Sequence, residues 1–599
     1  MKFSEIYKEL IDKKFFEHRE FIERSLETIE KGIRERKSII IRAPPGIGKT
    51  MITYTSTLCL LRECSDDFYS VIHVIPTRSL IDDLYDRSID LFNKIIDKEC
   101  MKEVGRKIVA RQYGGVHEAH YLAGILVYTT YDTYFYNIMK MPLREIKKIY
   151  EGRSYGHYEM PRASVYSSLN IFDETHLILE ESDEVRIADM FNTIFLHLSN
   201  IKVPHIIMTA TMSTKILGKI TNGLSRYGGV EFIDYSKYDY HKDSFYQREI
   251  EKTFEPLAAN NVFINIQEYG IEKIIDLTGK ILERVSHTSG RKIALITNTI
   301  SRAKTFYRIL RERFSRGDVI LLTSRFTAKD KQDKLKKILG EEKILLISTQ
   351  VIEVGVDASF DVIITELSPP SSLIQRMGRL ARGEKKLGLW SIYYDQTTIE
   401  KGSGIYSPEM TRCSMRIIKD LIRDERKINW HLPETSEKQF VGYMNLLDPC
   451  WENINITPAY DTYVWEILEK PTITSEQVFR LNIYPRDENL CSLYIGNDIP
   501  SHLEELYEES LSRMIPVPCR TASEYINILR KRSYDIYVIS YDPYREEILL
   551  QHVDDNILRK LYKIFDKPLK LITSNILGMT IPEEYYEGGL YGEGLKDVN

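Results

Sequence analysis

The sequence predicts an α/β protein made of two tandem parallel-sheet domains, a linker helix and a small C-terminal accessory domain. Two observations carry that expectation. Short apolar runs ending in small polar residues recur at 38–42, 71–75, 125–129, 169–172 and 205–208, and again at 292–296, 319–322, 344–347, 362–364 and 389–394. Helix-length intervals separate the runs, which is the rhythm of strands buried on both faces of a parallel sheet. A polar connection over 215–260 separates the two sets, so the expected boundaries are 1–225, 226–400, a helical linker over 401–450 and an accessory domain over 451–599.

Composition bounds the class. With 599 residues, 43% hydrophobic and 28% charged, the chain has room for several cores and the balance of a globular protein. The formal charge of −5 means that any nucleic-acid path must be a local basic lining. Seven cysteines, an odd number without a C-x-x-C pair, argue against a disulfide framework and a zinc ribbon and match a reducing cytoplasm. The start lacks a signal-peptide apolar region and no run approaches the roughly 18 apolar residues of a membrane helix, so the expected location is cytoplasmic, away from membrane.

The first strand, Ser38 to Arg42, runs straight into Ala43-Pro44-Pro45-Gly46-Ile47-Gly48-Lys49-Thr50 and then a helix-compatible segment. Gly46 and Gly48 let backbone N–H groups turn around phosphate oxygens, the helix start adds its positive dipole end, and Lys49 adds a point charge. Thr50 is placed to hold magnesium through its hydroxyl. The strict pattern opens with glycine where this chain has Ala43. The strand Leu169 to Phe172 delivers Asp173 and Glu174 to its C-terminal end, where open parallel sheets bind ligands. Asp173 suits the metal, and Glu174 suits orienting and deprotonating an attacking water. Thr209-Ala210-Thr211 ends another strand, and its hydroxyls are candidates for coupling hydrolysis to movement.

After the second set of strands comes Gln375-Arg376-Met377-Gly378-Arg379-Leu380-Ala381-Arg382. Together with the phosphate loop, Pro76-Thr77-Arg78, Asp173-Glu174-Thr175-His176 and Thr209-Ala210-Thr211, this ordered set resembles a superfamily 2 DExH helicase with RecA-like domains. More narrowly, Thr349 to Asp357, Thr365-Glu366, Ser372 to Arg376 and Ser324 to Thr327 look like the helicase of type I CRISPR interference. The resemblance is specific for about 38–383. It implies that Asp357 meets the nucleotide ribose, Thr349 the DNA backbone, and Gln375, Arg379 and Arg382 the triphosphate, the last two as arginine fingers. Planar guanidinium groups match the spread charge of a transferring phosphoryl group.

By the same resemblance, Pro76, Thr77, Arg78, Thr129, Thr130, Thr297, Asn298, Ser324 and Arg325 lie on a strand-end surface that tracks nucleic acid. Short hydroxyl and amide side chains bind phosphates without reading bases; they also cap strands and helices. Two departures stand out. Residues 1–42 contain no glutamine to read adenine, leaving Arg19 or Glu20. Nor does any His-Asp dipeptide occur, and His117 with His120 or His241 near Asp243 makes no convincing metal set; placing His117 and His120 on one helix face is the most they offer. The chain then resembles the stand-alone helicase subunit of type I-A systems, partnered by a separate His-Asp nuclease subunit.

The expected activity is ATP- and Mg2+-dependent 3′–5′ translocation on single-stranded DNA, the displaced strand of an R-loop opened by an RNA-guided CRISPR surveillance complex. Alternatives are a DExH helicase acting on RNA or in DNA repair, and an ATPase-inactive DNA-binding clamp. Beyond 400, Ser407 to Asn429 reads as the linker helix, with Met410, Cys413, Ile417, Ile418 and Leu421 on one apolar face. Tyr534 to Tyr541 reads as a strand of the accessory domain.

Overall fold

The structure, a computed structural model, describes residues 2–62, 66–96, 107–114, 116–151, 153, 156–179, 185–237, 243–257, 262–285, 291–314, 318–353, 358–401, 406–435, 440–452, 458–481, 490–542, 545, 547–565, 571 and 574–597. The chain forms two compact units, each assembled from three stretches. The first comprises Met1–Glu255, Leu367–Gly388 and Thr397–Pro485; the second comprises Pro256–Glu366, Leu389–Gln396 and Arg486–Asn599.

The first unit is built on an eight-stranded sheet in the order 116–117, 109–113, 126–130, 70–75, 168–172, 205–209, 38–42, 230–234. All pairings are parallel except the short hairpin of Val116–His117 on Val109–Tyr113. The central strands are buried throughout, as their unbroken apolar runs require. Ser38–Arg42 lies beside His205–Thr209, which lies beside Ser168–Phe172. Three loops at the carboxyl ends of neighbouring strands therefore converge, and they carry Lys49, Asp173 and Thr209.

The second unit has strands in the order 263–265, 387–394, 362–366, 292–296, 344–348, 319–322, all parallel. Its C-terminal stretch adds a mixed sheet in the order 514–518, 490–495, 576–581, 537–542, 547–552 around its own apolar core, which includes Leu493, Ile526 and Met579. The final residues lie along the parallel half of the unit. Lys304 donates to the Leu595 carbonyl, Lys334 Nζ donates to Leu590 O at 2.8 Å, and the Leu595 amide donates to Arg325 O at 2.9 Å.

Several local expectations are corrected. The segment 215–260 is not merely a polar connection: it holds the helix Thr214–Ser225, the edge strand Val230–Asp234 and the helix Ser244–Ile250. The edge strand escaped notice because its side chains are only half buried, so it lacks the apolar run of a central strand. The linker helix ends at Arg423, and Lys427–Asn429 is instead a strand paired with Phe440–Gly442. His117 and His120 share no helix face, since Val116–His117 is strand and His120 opens a 3-10 turn. Against the cysteine argument, Cys413 is bonded to Cys450 and Cys491 to Cys519; parity and spacing could not register pairs 37 and 28 residues apart. Among the described residues no helix is long and apolar enough to cross a membrane.

Candidate nucleotide site

The phosphate loop leaves the first strand at Ala43 and enters the helix Thr50–Leu61 with Lys49 at its N-cap. Gly46 and Gly48 have φ of +82° and +103°, a region that favours glycine. A Cβ built on Gly46 would lie 3.2 Å from a terminal nitrogen of the Arg382 guanidinium and 3.3 Å from its Nε. The arginine segment therefore packs directly on the phosphate loop, within the same compact unit. Lys49 is 8% exposed and donates to the Ala43 carbonyl at 3.1 Å. Thr50, half-buried, is the first helical residue.

Asp173 and Glu174 follow the strand Ser168–Phe172, and their environments drive the two carboxyls apart. Burial alone pushes Asp173 up. The His73 imidazole, with Nε2 3.6 Å from Oδ2, and the Lys49 charge outweigh burial and hold Asp173 below the usual carboxylate range. Glu174 goes the other way. Burial raises it to about 7 against the pull of Lys49; Asp173 repels its charge, while Arg379 and Arg382 attract it. One carboxyl is thus kept anionic and its neighbour is poised near neutrality, a separation that assigns different roles to adjacent acids. Glu174 sits at φ +49°, a left-handed conformation uncommon for non-glycine residues, and its Oε2 accepts no hydrogen bond from a described residue.

A buried polar relay extends from these acids. His176 Nδ1 lies 3.4 Å from Glu174 Oε2 and 3.3 Å from the Thr209 hydroxyl. Its Nε2 lies 3.5 Å from Gln375 Nε2, which also lies 3.5 Å from the Thr211 hydroxyl. Burial and the Lys49 charge hold His176 down at about 3, so the ring is neutral. The network is consistent with a proton on Nδ1 and with Nε2 accepting from Gln375. Gln375, Thr209 and Thr211 are thereby brought together with the acids; His176, part of the Asp-Glu-Thr-His motif but given no role of its own, joins them, and so does His73. His73 also bonds Thr53 of the phosphate-loop helix at 3.0 Å. The signal for His73 was present in principle, since an imidazole in an otherwise apolar central strand needs a polar partner.

The nucleotide and metal candidates fit the groups they were expected to hold. A glycine cradle whose Cβ space is taken by a guanidinium, an anionic Asp173 and the Thr50 hydroxyl form a suitable donor set for a triphosphate and a hard cation. Asp357 lies outside the described residues.

The nucleic-acid candidates are dispersed. In the first unit Arg78 is exposed beside the Tyr113 ring, and Pro76 and Thr77 are half-buried. Thr129 is fully buried and donates to Gln112 O at 2.7 Å, while Thr130 caps the helix Tyr131–Ile138. In the second unit the Thr297 hydroxyl donates to Thr299 O, the Asn298 amide to Glu366, and Thr349 is buried. Ser324 is exposed, and Arg325 is half-buried with its guanidinium 3.4 Å from the Thr521 hydroxyl.

Comparison with known proteins places this geometry. A family model described as CRISPR-associated nuclease/helicase Cas3, C-terminal, matches residues 289–385, and the DEAD/DEAH box helicase model matches 23–219. A putative CRISPR-associated nuclease/helicase Cas3 of Methanocaldococcus jannaschii is 24% identical over 552 residues, 86% of this chain and 69% of the relative. A CRISPR-associated helicase Cas3 of Thermoproteus tenax is 24% identical over 358 residues, 58% of this chain and 54% of the relative. In fold, the chain matches the crystal structure of T. fusca Cas3 with ADP at a TM-score of 0.61 and 15% identity, over 86% of this chain and 65% of that one. The chain thus spans between 54% and 69% of the length of these proteins. The matching fold fits the expected pair of RecA-like parallel-sheet domains with a C-terminal accessory region. With both parts of the helicase core matched and CRISPR proteins as relatives, this chain is similar to the Cas3-type helicases of CRISPR systems.

Proposed function

We propose that this chain hydrolyses ATP with Mg2+ to move 3′ to 5′ along single-stranded DNA, acting on the strand displaced by an RNA-guided surveillance complex. The observation that carries the ATPase half is the Arg382 guanidinium lying on the phosphate loop in the unit that also holds Glu174 near neutrality. In this reading Lys49, Arg379 and Arg382 surround the triphosphate with positive charge, and Glu174 orients water and accepts its proton. Gln375 and the Thr209–Thr211 hydroxyls, joined through His176, relay a change at the phosphates into the backbone. Magnesium, held by Thr50 and Asp173, supplies charge neutralisation of the phosphates when bound. Asp357 meets the ribose.

Strand polarity, the single-stranded substrate, the type I-A assignment and a separate His-Asp nuclease subunit rest on family resemblance. Cytoplasmic action follows from the same reading. The primary test is ATP hydrolysis by the purified chain with Mg2+ and no nucleic acid, single-stranded DNA or single-stranded RNA. Stimulation chiefly by DNA, with the DNA left intact, is expected. Preference for RNA would transfer the chain to another DExH role, and DNA cleavage would overturn the separate-nuclease assignment.

A further inference from the structure

Arg379 and Arg382 belong to a turn whose Arg379 and Leu380 amides bond back to Arg376 O and Met377 O and whose Leu380 and Ala381 are fully buried. Between the two arginines Ala381 sits at φ +49°, a left-handed conformation that L-residues adopt only at a cost. A contact from outside the turn also holds it. The Ala381 carbonyl accepts a hydrogen bond of 2.8 Å from Lys252 Nζ, a side chain 1% exposed. Lys252 is in turn paired with Glu249, 2.8 Å away and 2% exposed, and the same Glu249 oxygen bonds His431 Nδ1. The Thr253 amide donates to Lys386 O at 2.8 Å, tying the far side of the turn to the same stretch of chain.

We infer that Lys252, backed by Glu249 and His431, is a positioning residue that holds the Ala381 turn so that the arginines stand correctly over the phosphate loop. This deepens the arginine-finger reading and rests on it. The ammonium is a good instrument for the purpose because a charged donor to a carbonyl, away from water, is stronger and shorter than a neutral one. A buried lysine kept only for stability would be a poor choice, since desolvating the pair offsets most of its attraction. The charge is placed on the carbonyl that immediately precedes Arg382. Lys252 touches neither substrate nor reacting atoms in this assignment; it acts through the turn.

The test uses the full chain with ATP, Mg2+ and single-stranded DNA, and compares wild type, Arg382→Ala, the double variant Lys252→Met/Glu249→Gln, and the triple combination. The double variant removes both charges together, so no buried carboxylate is left unpaired. It is expected to lower kcat by roughly 10- to 100-fold, the scale of an ångström-size misplacement, with KM for ATP and Tm close to wild type. In the Arg382→Ala background the same pair should cost clearly less than in wild type, because one of the two arginines it positions is gone. Unchanged kcat overturns the proposal. So does an equal loss in both backgrounds, or a loss that tracks Tm, since either marks a scaffold role only. Lys252→Gln keeps an N–H donor and covers the case in which the double variant does not fold: an intermediate kcat supports the role, and full turnover overturns it. If Arg382→Ala itself turns over normally, the finger reading falls, and this inference with it; a low Arg382→Ala rate beside a normal double variant sinks the inference alone.

Discussion

The phosphate-loop region of the first unit and the strand ends of the second unit were both marked by short motifs, yet they are built on different terms. In the first, Lys49, Asp173, Glu174, Thr209, Thr211 and Gln375 are buried or nearly so and bonded or charge-coupled to one another through His176. In the second, Thr297, Asn298 and Thr349 are sunk in the fold, Ser324 stands in solvent and Arg325 rests against Thr521. Phosphoryl transfer requires charges converging on one point away from water, so its residues must meet and their identities are constrained. Backbone tracking requires only donors facing outward, and the same Ser, Thr and Asn residues also cap strands and helices.

That contrast can be broken most directly at its buried pole. Glu174→Gln should abolish steady-state hydrolysis, on the order of 10³-fold or more, while leaving ATP binding near wild type, because it removes the base but keeps the shape. Equal loss of binding, measured by titration, would assign Glu174 to the nucleotide cradle instead. Arg382→Ala should reduce kcat by about 10³-fold at the upper end, with a smaller change in ATP affinity; normal turnover would remove it from the reaction.

The open pole should respond more weakly and to salt. Arg325→Ala is expected to weaken single-stranded-DNA binding by roughly 10-fold and to flatten the salt dependence by about one unit of slope, with ATP hydrolysis at saturating DNA little altered. Thr129→Val should do the reverse: it removes a buried bond to Gln112 O, lowering stability by about 1 kcal/mol without moving DNA affinity. A DNA defect in Thr129→Val with unchanged Tm would place that hydroxyl back on the tracking surface.

The smallest effect is a pH limb. Burial works against Glu249, but hydrogen bonding to His431 and the charges of His431 and Lys252 hold it at about 2. A carboxyl lower in the folded than in the unfolded chain stabilises above its unfolded value and loses that contribution as pH falls. Melting temperature should therefore hold steady from neutrality to about pH 5 and fall toward pH 2, and Glu249→Gln should blunt the fall.

The parallel sheets were legible because strands buried on both faces must be apolar end to end, and the central runs 38–42, 169–172 and 292–296 declare themselves. Val230–Asp234 stayed hidden for the converse reason: an edge strand needs only part of that burial. The phosphate loop and the paired acids were legible because glycine at positive φ and adjacent carboxylates are rarely interchangeable. Lys252, Glu249 and His431 were not. They come together from 182 residues apart, and nothing local distinguishes a lysine that will be buried from one on a solvated helix. The Cys413–Cys450 and Cys491–Cys519 pairs escaped for the same reason, being contacts of tertiary structure.

The second compact unit begins at Pro256 but also includes Arg486–Asn599, and Lys304 and Lys334 rest on carbonyls of Leu590, Gly592 and Leu595. Synthesis runs from the N-terminus, so this half has all its parallel strands exposed on the ribosome while about two hundred further residues are added. Two lysines destined for the interior wait, hydrated, for acceptors that emerge among the last residues of this sequence. The first unit gathers its final piece by Pro485, well before the second can close. The order of birth therefore puts the phosphate loop in place first and leaves its companion dependent on the stretch Arg486–Asn599.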